Sequence, residues 1–164
     1  MPTTLNPLLS PRTIAVIGAS RTPGTIGWQI LDNLVVHGFQ GAIFPVNPGA
    51  RAVHSFPVWR SVREIPGEVD LAVIAVPATS VSKVVDECAE KGVPAIVVIS
   101  AGFRESGVEG AELEKTLVEK IRRYGMRMVG PNCMGVLNTD PTVSMNATFA
   151  PTMPPAGPIS FLSQ

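Results

Sequence analysis

Five short runs rich in Val, Ile and Ala, at 13–19, 42–46, 71–76, 95–100 and 126–129, recur along the chain with helical patterns between most of them. Runs this short and this continuously apolar suit strands covered on both faces. Gly27, Ile30, Leu31, Leu34 and Val35 follow the first run at three- and four-residue steps and stop at His37-Gly38. Val81, Val84, Val85, Cys88 and Ala89 repeat the pattern before Lys91-Gly92, and Leu113, Leu117, Ile121 and Tyr124 form the stripe of a third helix. The charges of that third segment, Glu112, Glu114, Lys115, Glu119, Lys120, Arg122 and Arg123, read as a solvated face. Pro45, Pro48, Pro57 and Pro66 break the periodicity between the second and third runs, leaving a loop and a short helix near 61–65. Strands alternating with helices predict an α/β fold, a Rossmann-like doubly wound, mainly parallel five-stranded sheet with helices on both faces. The boundaries expected are an N-terminal arm at 1–10, the Rossmann-like domain at 11–150, and at 151–164 a linker with the start of a following domain. Five prolines from Pro141 onward punctuate the tail, and Ile159-Ser160-Phe161-Leu162 reads as the opening of a further strand.

Composition narrows the partners. Of 164 residues 45% are hydrophobic, and 13 Lys+Arg balance 13 Asp+Glu, so no global field recruits nucleic acid or an anionic membrane. No apolar run approaches the roughly 20 residues of a membrane span, and Met1 to Asn6 lack the charged-then-apolar pattern of a leader. A cytoplasmic protein is expected. Cys88 and Cys133 lie far apart with only two histidines in the chain, which gives neither a metal site nor a disulfide framework.

Chemistry concentrates at the ends of the runs, where open α/β sheets bind their ligands. Gly18, Gly24 and Gly27 follow a strand and lead into a helix, the setting in which backbone N–H groups and a helix N-terminus hold phosphate. A Walker A loop is excluded: five residues separate Gly18 from Gly24, and no Lys-Ser or Lys-Thr follows. The NAD fingerprint calls for an acidic residue about 20 positions further on. Asn47 stands there, and no Asp or Glu occurs between Asp32 and Glu64, whereas Arg51, Arg60 and Arg63 do. A ligand with a pyrophosphate and a separate ribose phosphate fits, and both NADP and coenzyme A (CoA) qualify.

Gly18-Ala19-Ser20-Arg21 with Pro23-Gly24 and Gly27, Val46-Asn47-Pro48, Ala75-Val76-Pro77-Ala78, Ile99-Ser100-Ala101-Gly102-Phe103 and Gly130-Pro131-Asn132-Cys133-Met134-Gly135 occur in order. From about residue 11 to 164 the chain resembles the CoA-binding domain of NDP-forming acyl-CoA synthetases, relatives of the succinyl-CoA synthetase alpha subunit. The resemblance implies that Ser20, Arg21, Thr22 and Pro23 line the CoA phosphates beside Gly18, Gly24 and Gly27. It sets Asn47 and Pro48 beside the nucleotide, with Arg51 near the place of a family lysine. Val76, Pro77 and Ala78 would pack on the adenine end, and Ser100, Ala101 and Gly102 would admit the pantetheine arm or a phosphate. Asn132 would border the thiol, with Cys133 a bystander because CoA brings its own thiol.

In the family a phosphohistidine carries the phosphate in the domain after this one. His37 and His54 lack that context, so no catalytic residue is expected in this segment. The implied parent joins a carboxylate, CoA and ATP or GTP with Mg to give acyl-CoA, NDP and phosphate, the nucleotide binding outside this segment. Its partners would be the remaining synthetase domains or subunit, with a homo-oligomer possible. Two other readings are a regulatory CoA module fused to a lysine acetyltransferase and an NADP-binding oxidoreductase domain.

Overall fold

The computed structural model describes residues 4–163. In chain order these form α1 (Asn6–Leu9), β1 (Thr13–Ile17), α2 (Ile26–Val36), β2 (Ala42–Val46), β3 (Ala52–Val53), β4 (Phe56–Pro57) and β5 (Leu71–Ile74). There follow α3 (Ala78–Lys91), β6 (Ala95–Val98), α4 (Val108–Tyr124), β7 (Arg127–Val129), β8 (Gly135–Asn138) and β9 (Met145–Thr148). The five expected strands make one parallel sheet in the order β2-β1-β5-β6-β7.

Every residue of β5 and β6, and four of the five in β1, is buried, so both faces of the sheet need covering. On one face Ala15, Ile17, Ala72, Ile74, Ile96 and Val98 pack with Val81, Val85 and Cys88 of α3 and Leu117 and Ile121 of α4. On the other, Ile14, Val16, Leu71, Val73, Ala95 and Val97 pack with Ile30, Leu31 and Leu34 of α2. Met145 and Ala147 of β9 complete that second layer together with Leu8 of α1. The antiparallel hairpin β8–β9 therefore helps α2 to cover the second face. None of the described helices is long and apolar enough to cross a membrane.

Several expectations change in detail. The runs at 13–19, 71–76 and 95–100 each leave the sheet two residues early, because the strand ends open into loops. The apolar stripe of α4 is Gly110, Leu117 and Ile121, while Leu113 and Tyr124 remain 39% and 36% exposed. Lys120 leaves the expected solvated face and donates to Asp86 of α3 at 2.6 Å. The short helix near 61–65 is a 3-10 turn at Val62–Glu64. Residues 151–163 form no strand, and Ile159, Phe161 and Leu162 are exposed. Residues 1–3 of the expected arm and Gln164 lie outside the described residues.

Asp86 joins α3 to α4. Burial acts to raise its pKa, but the hydrogen bonds from Lys120 and from the Tyr124 hydroxyl at 2.8 Å outweigh it and hold the carboxyl below its ordinary value of 3.8. A carboxyl lowered in the folded state contributes stability above its unfolded pKa and loses it as pH falls through the folded value. Asp86→Asn should cost about 0.5–1 kcal/mol at neutral pH, the scale of a partly exposed ion pair. Urea denaturation of both proteins checks this: the gap should narrow as the pH falls below about 4, the ordinary carboxyl range.

Candidate functional site

The strand order places β1 between β2 and β5, and the chain leaves β1 over one face and β5 over the other. Ligands of such sheets bind in the crevice where these connections diverge, beyond the strand ends. Two glycines set the floor of that crevice. Gly18 has φ +94°, and a Cβ there would overlap the carbonyl oxygen of Ala75 at the end of β5. A Cβ on Gly27 would overlap the carbonyl oxygen of Gly18, so the first turn of α2 lies directly on the loop that precedes it.

The loop from Ser20 to Thr25 is braced from within but leaves donors open. Thr22 N–H donates to Ser20 Oγ at 3.1 Å, and Thr25 Oγ1 donates to the Thr22 carbonyl at 2.8 Å. Thr25 therefore gives α2 no side-chain cap. The N–H groups of Ile26, Gly27 and Trp28 have no partner among the described residues, and their positive dipole end faces the loop. Arg21, Thr22, Pro23 and Gly24 are exposed, and the Arg21 guanidinium has no ion pair or hydrogen bond among the described residues.

Asn47 joins two loops of the crevice. Its Nδ2 donates to the Ala19 carbonyl at 2.7 Å and its Oδ1 accepts from Gly49 N–H at 2.8 Å, tying the loop after β1 to the turn after β2. Pro48 and Arg51 beside it are exposed, and the Arg51 side chain is unpaired among the described residues. Beyond Arg51 the chain makes the tight β3–β4 hairpin, which brings His54 onto Trp28 of α2 with ring centroids 5.1 Å apart. Nothing in the sequence marks that contact, since two strands of two residues leave no periodicity to read.

At the ends of β5, β6 and β7 the expected residues are brought together. Val76 is half-buried, Pro77 caps α3 and Ala78 begins it. Ser100, 8% exposed, donates its hydroxyl to the Val76 carbonyl at 2.6 Å. Ala101 is exposed and Gly102 follows with φ +104°. Gly102 and Phe103 N–H both donate to Glu105 Oε1, at 2.6 and 3.1 Å. These backbone bonds, that from Gly102 foremost, hold the exposed Glu105 carboxyl below its usual range. The turn thus already holds an anion of its own, the Glu105 carboxylate. Sequence reading missed Glu105; a carboxylate two or three residues after a glycine turn was the available clue.

Asn132 is exposed with φ +52°, and its N–H donates to the Ser100 carbonyl at 3.0 Å. Cys133 Sγ lies 3.4 Å from the Val98 carbonyl, and burial pushes its thiol up. Burial pushes Cys88, in the core, up to about 12. Neither thiol is activated as a nucleophile.

A parallel sheet whose order reverses beside a glycine turn and an uncapped helix start defines a Rossmann-like, phosphate-binding domain. The family described as "CoA binding domain" matches residues 12–139, and this chain belongs to it. It is 51% identical over 157 residues to acetate–CoA ligase [ADP-forming] I of Archaeoglobus fulgidus, covering 96% of this chain and 22% of that protein. It is 48% identical over 164 residues to the alpha subunit of acetate–CoA ligase [ADP-forming] I of Pyrococcus furiosus, covering 98% of this chain and 35% of that subunit. Among solved structures, the dinucleotide-forming acetyl-coenzyme A synthetase 1 of Ca. Korarchaeum cryptofilum, in complex with phosphate and ADP, superposes with a TM-score of 0.84 at 44% identity. That match covers 90% of this chain and 31% of the synthetase. The chain thus spans between about a fifth and a third of each of these proteins.

The two kinds of glycine in the loop should respond differently. Gly18→Ala meets the Ala75 carbonyl as well as an unfavourable φ, and should cost about 2–5 kcal/mol. Gly24→Ala, with φ +83° but open space around it, should cost only about 1–2 kcal/mol. Chemical denaturation of both variants checks this; equal losses would show that the close approach at Gly18 is not needed.

Proposed function

We propose that this chain is the CoA-binding domain of an ADP-forming acyl-CoA synthetase, working in the cytoplasm with further synthetase domains or a partner subunit. The observation that carries the reading is the open donor set at the crevice. Uncapped N–H groups of α2, the Ser20 and Thr22 hydroxyls and Arg21, unpaired among the described residues, all belong to the loop and first turn that a pyrophosphate would meet. Arg51, unpaired among the described residues, lies in the neighbouring loop for a separate ribose phosphate, and no carboxylate stands where NAD requires one. Membership of the CoA binding domain family and the identity with ADP-forming ligases support CoA over NADP. The acetyltransferase-fused alternative draws no support from these relatives.

On this reading Val76, Pro77 and Ala78 form a small apolar seat for the adenine end, and Ser100 to Gly102 let the pantetheine arm run close to the backbone. The arm ends near Asn132. The reaction of the parent would be attack of the CoA thiol on an acyl phosphate. Sulfur bonds to the acyl carbon, the bond from that carbon to the phosphate oxygen breaks, and the thiol proton passes to the departing phosphate or to water. This domain supplies no group to the bond changes. Its contribution is to hold and aim the thiol, catalysis by proximity and orientation.

Calorimetric titration of the chain with CoA, 3′-dephospho-CoA, NADP and NAD at one fixed salt concentration tests the reading. CoA should bind tightest, and Arg21→Ala should weaken it about tenfold, the scale of one charge-assisted contact. Arg51→Ala should erase most of the preference for CoA over its dephospho form. Tighter binding of NADP, or no CoA binding, would overturn the assignment.

A further inference from the structure

The buried polar side chains described are Asn33, Ser100, Asn146 and Thr148, and three of the four meet in one knot. Asn33, 2% exposed in the middle of α2, donates its two Nδ2 hydrogens to the carbonyls of Thr148 and Ala150, each at 2.8 Å. Its Oδ1 accepts from Gln29 Nε2 at 3.0 Å, one turn nearer the phosphate-facing end of the helix. Asn146 is fully buried; its Oδ1 accepts from the Thr148 hydroxyl at 2.7 Å and from Thr148 N–H at 3.3 Å. Thr148 Oγ1 in turn accepts from Ala150 N–H at 3.1 Å, and Asn146 Nδ2 reaches the Ala150 carbonyl at 3.4 Å.

Apolar burial already holds the hairpin on α2 through Met145 and Ala147. A buried amide adds little adhesion, because it gives up bonds to water to form these. What it adds is direction, since hydrogen bonds constrain orientation and apolar contact does not. The residue so directed is Ala150, held at both its N–H and its carbonyl. It is the last described residue in any hydrogen bond, and 151–163 form neither helix nor strand. The knot thus ties the outgoing chain to the same helix whose N-terminus faces the phosphate loop.

We propose that Asn33 is a positioning residue for acyl transfer. By clamping Ala150 to α2 it fixes the path of the chain leaving the coenzyme site, and with it the geometry between the CoA thiol and an acyl group held outside this domain. The proposal rests on the synthetase reading above. Small misplacements of reacting groups carry large rate penalties, so a loose exit should appear in turnover and not in coenzyme affinity.

The test uses the full-length protein carrying this domain, with Asn33→Leu and the nearly isosteric Thr148→Val. Val85→Ala, a truncation on the opposite face of the sheet, serves as a control for lost stability. Both knot variants should bind CoA with a KM within about threefold of wild type while kcat for acyl-CoA formation falls about tenfold or more. Hydrogen exchange across 148–152 should accelerate in them and not in Val85→Ala, whose kcat should hold. Unchanged kcat in a folded knot variant, unchanged exchange at 148–152, or an equal kcat loss in Val85→Ala would overturn the proposal while wild-type turnover upheld the synthetase reading. Wild-type protein that binds CoA but forms no acyl-CoA would instead sink the synthetase reading and the proposal together.

Discussion

The contact between the α-carbon of Gly18 and the carbonyl of Ala75 fixes the rest of the site. With no side chain between them, β1 and β5 stay hydrogen-bonded up to Ala75 N–H on the Ile17 carbonyl, while their outgoing segments part to opposite faces. Gly27 repeats the device one step on, laying the start of α2 on the Gly18 carbonyl. A side chain at either position would lift the helix off the sheet and point its free N–H groups elsewhere. The aim of those N–H groups into the crevice is therefore a consequence of backbone packing.

The sheet was legible because its chemistry is repetitive. Central strands buried on both faces must be apolar at every position, so 71–74 and 95–98 stand out without any alternation to interpret. Helices α2 and α3 were equally plain. The hairpin β8–β9 was not, since its buried strand Met145–Thr148 carries Asn146 and Thr148 in a segment flanked by prolines. Burial of those residues depends on Asn33, more than a hundred positions earlier, and no local pattern encodes such a partnership. In α4 the sequence stripe differs from the buried face: Gly110 lies against the Phe103 backbone, and Leu113 stays exposed.

Within the crevice, sequence reading named the positions but could not divide their labour. Asn47, Ser100 and Glu105 spend their polar atoms on the protein itself, joining the loops after β1, β2, β5 and β6. Arg21, Arg51 and the first N–H groups of α2 spend none among the described residues. A residue type announces which bonds are available, and only the fold decides which are already used. This division leaves the unused donors on the β1 side of the crevice, where the proposed reading puts the phosphates.

That asymmetry suits a ligand charged at one end and neutral along its arm. The charged end would meet donors that have no protein partner among the described residues, so it would displace only water from them. At the far end Glu105 already satisfies the turn at Gly102, so a phosphate there would displace a carboxylate for no net gain. On the proposed reading, that polarity would lay such a ligand with its reactive end toward Asn132 and the β7 terminus. Neither cysteine of the chain is poised to react, and the one thiol in play would be the one the ligand carries.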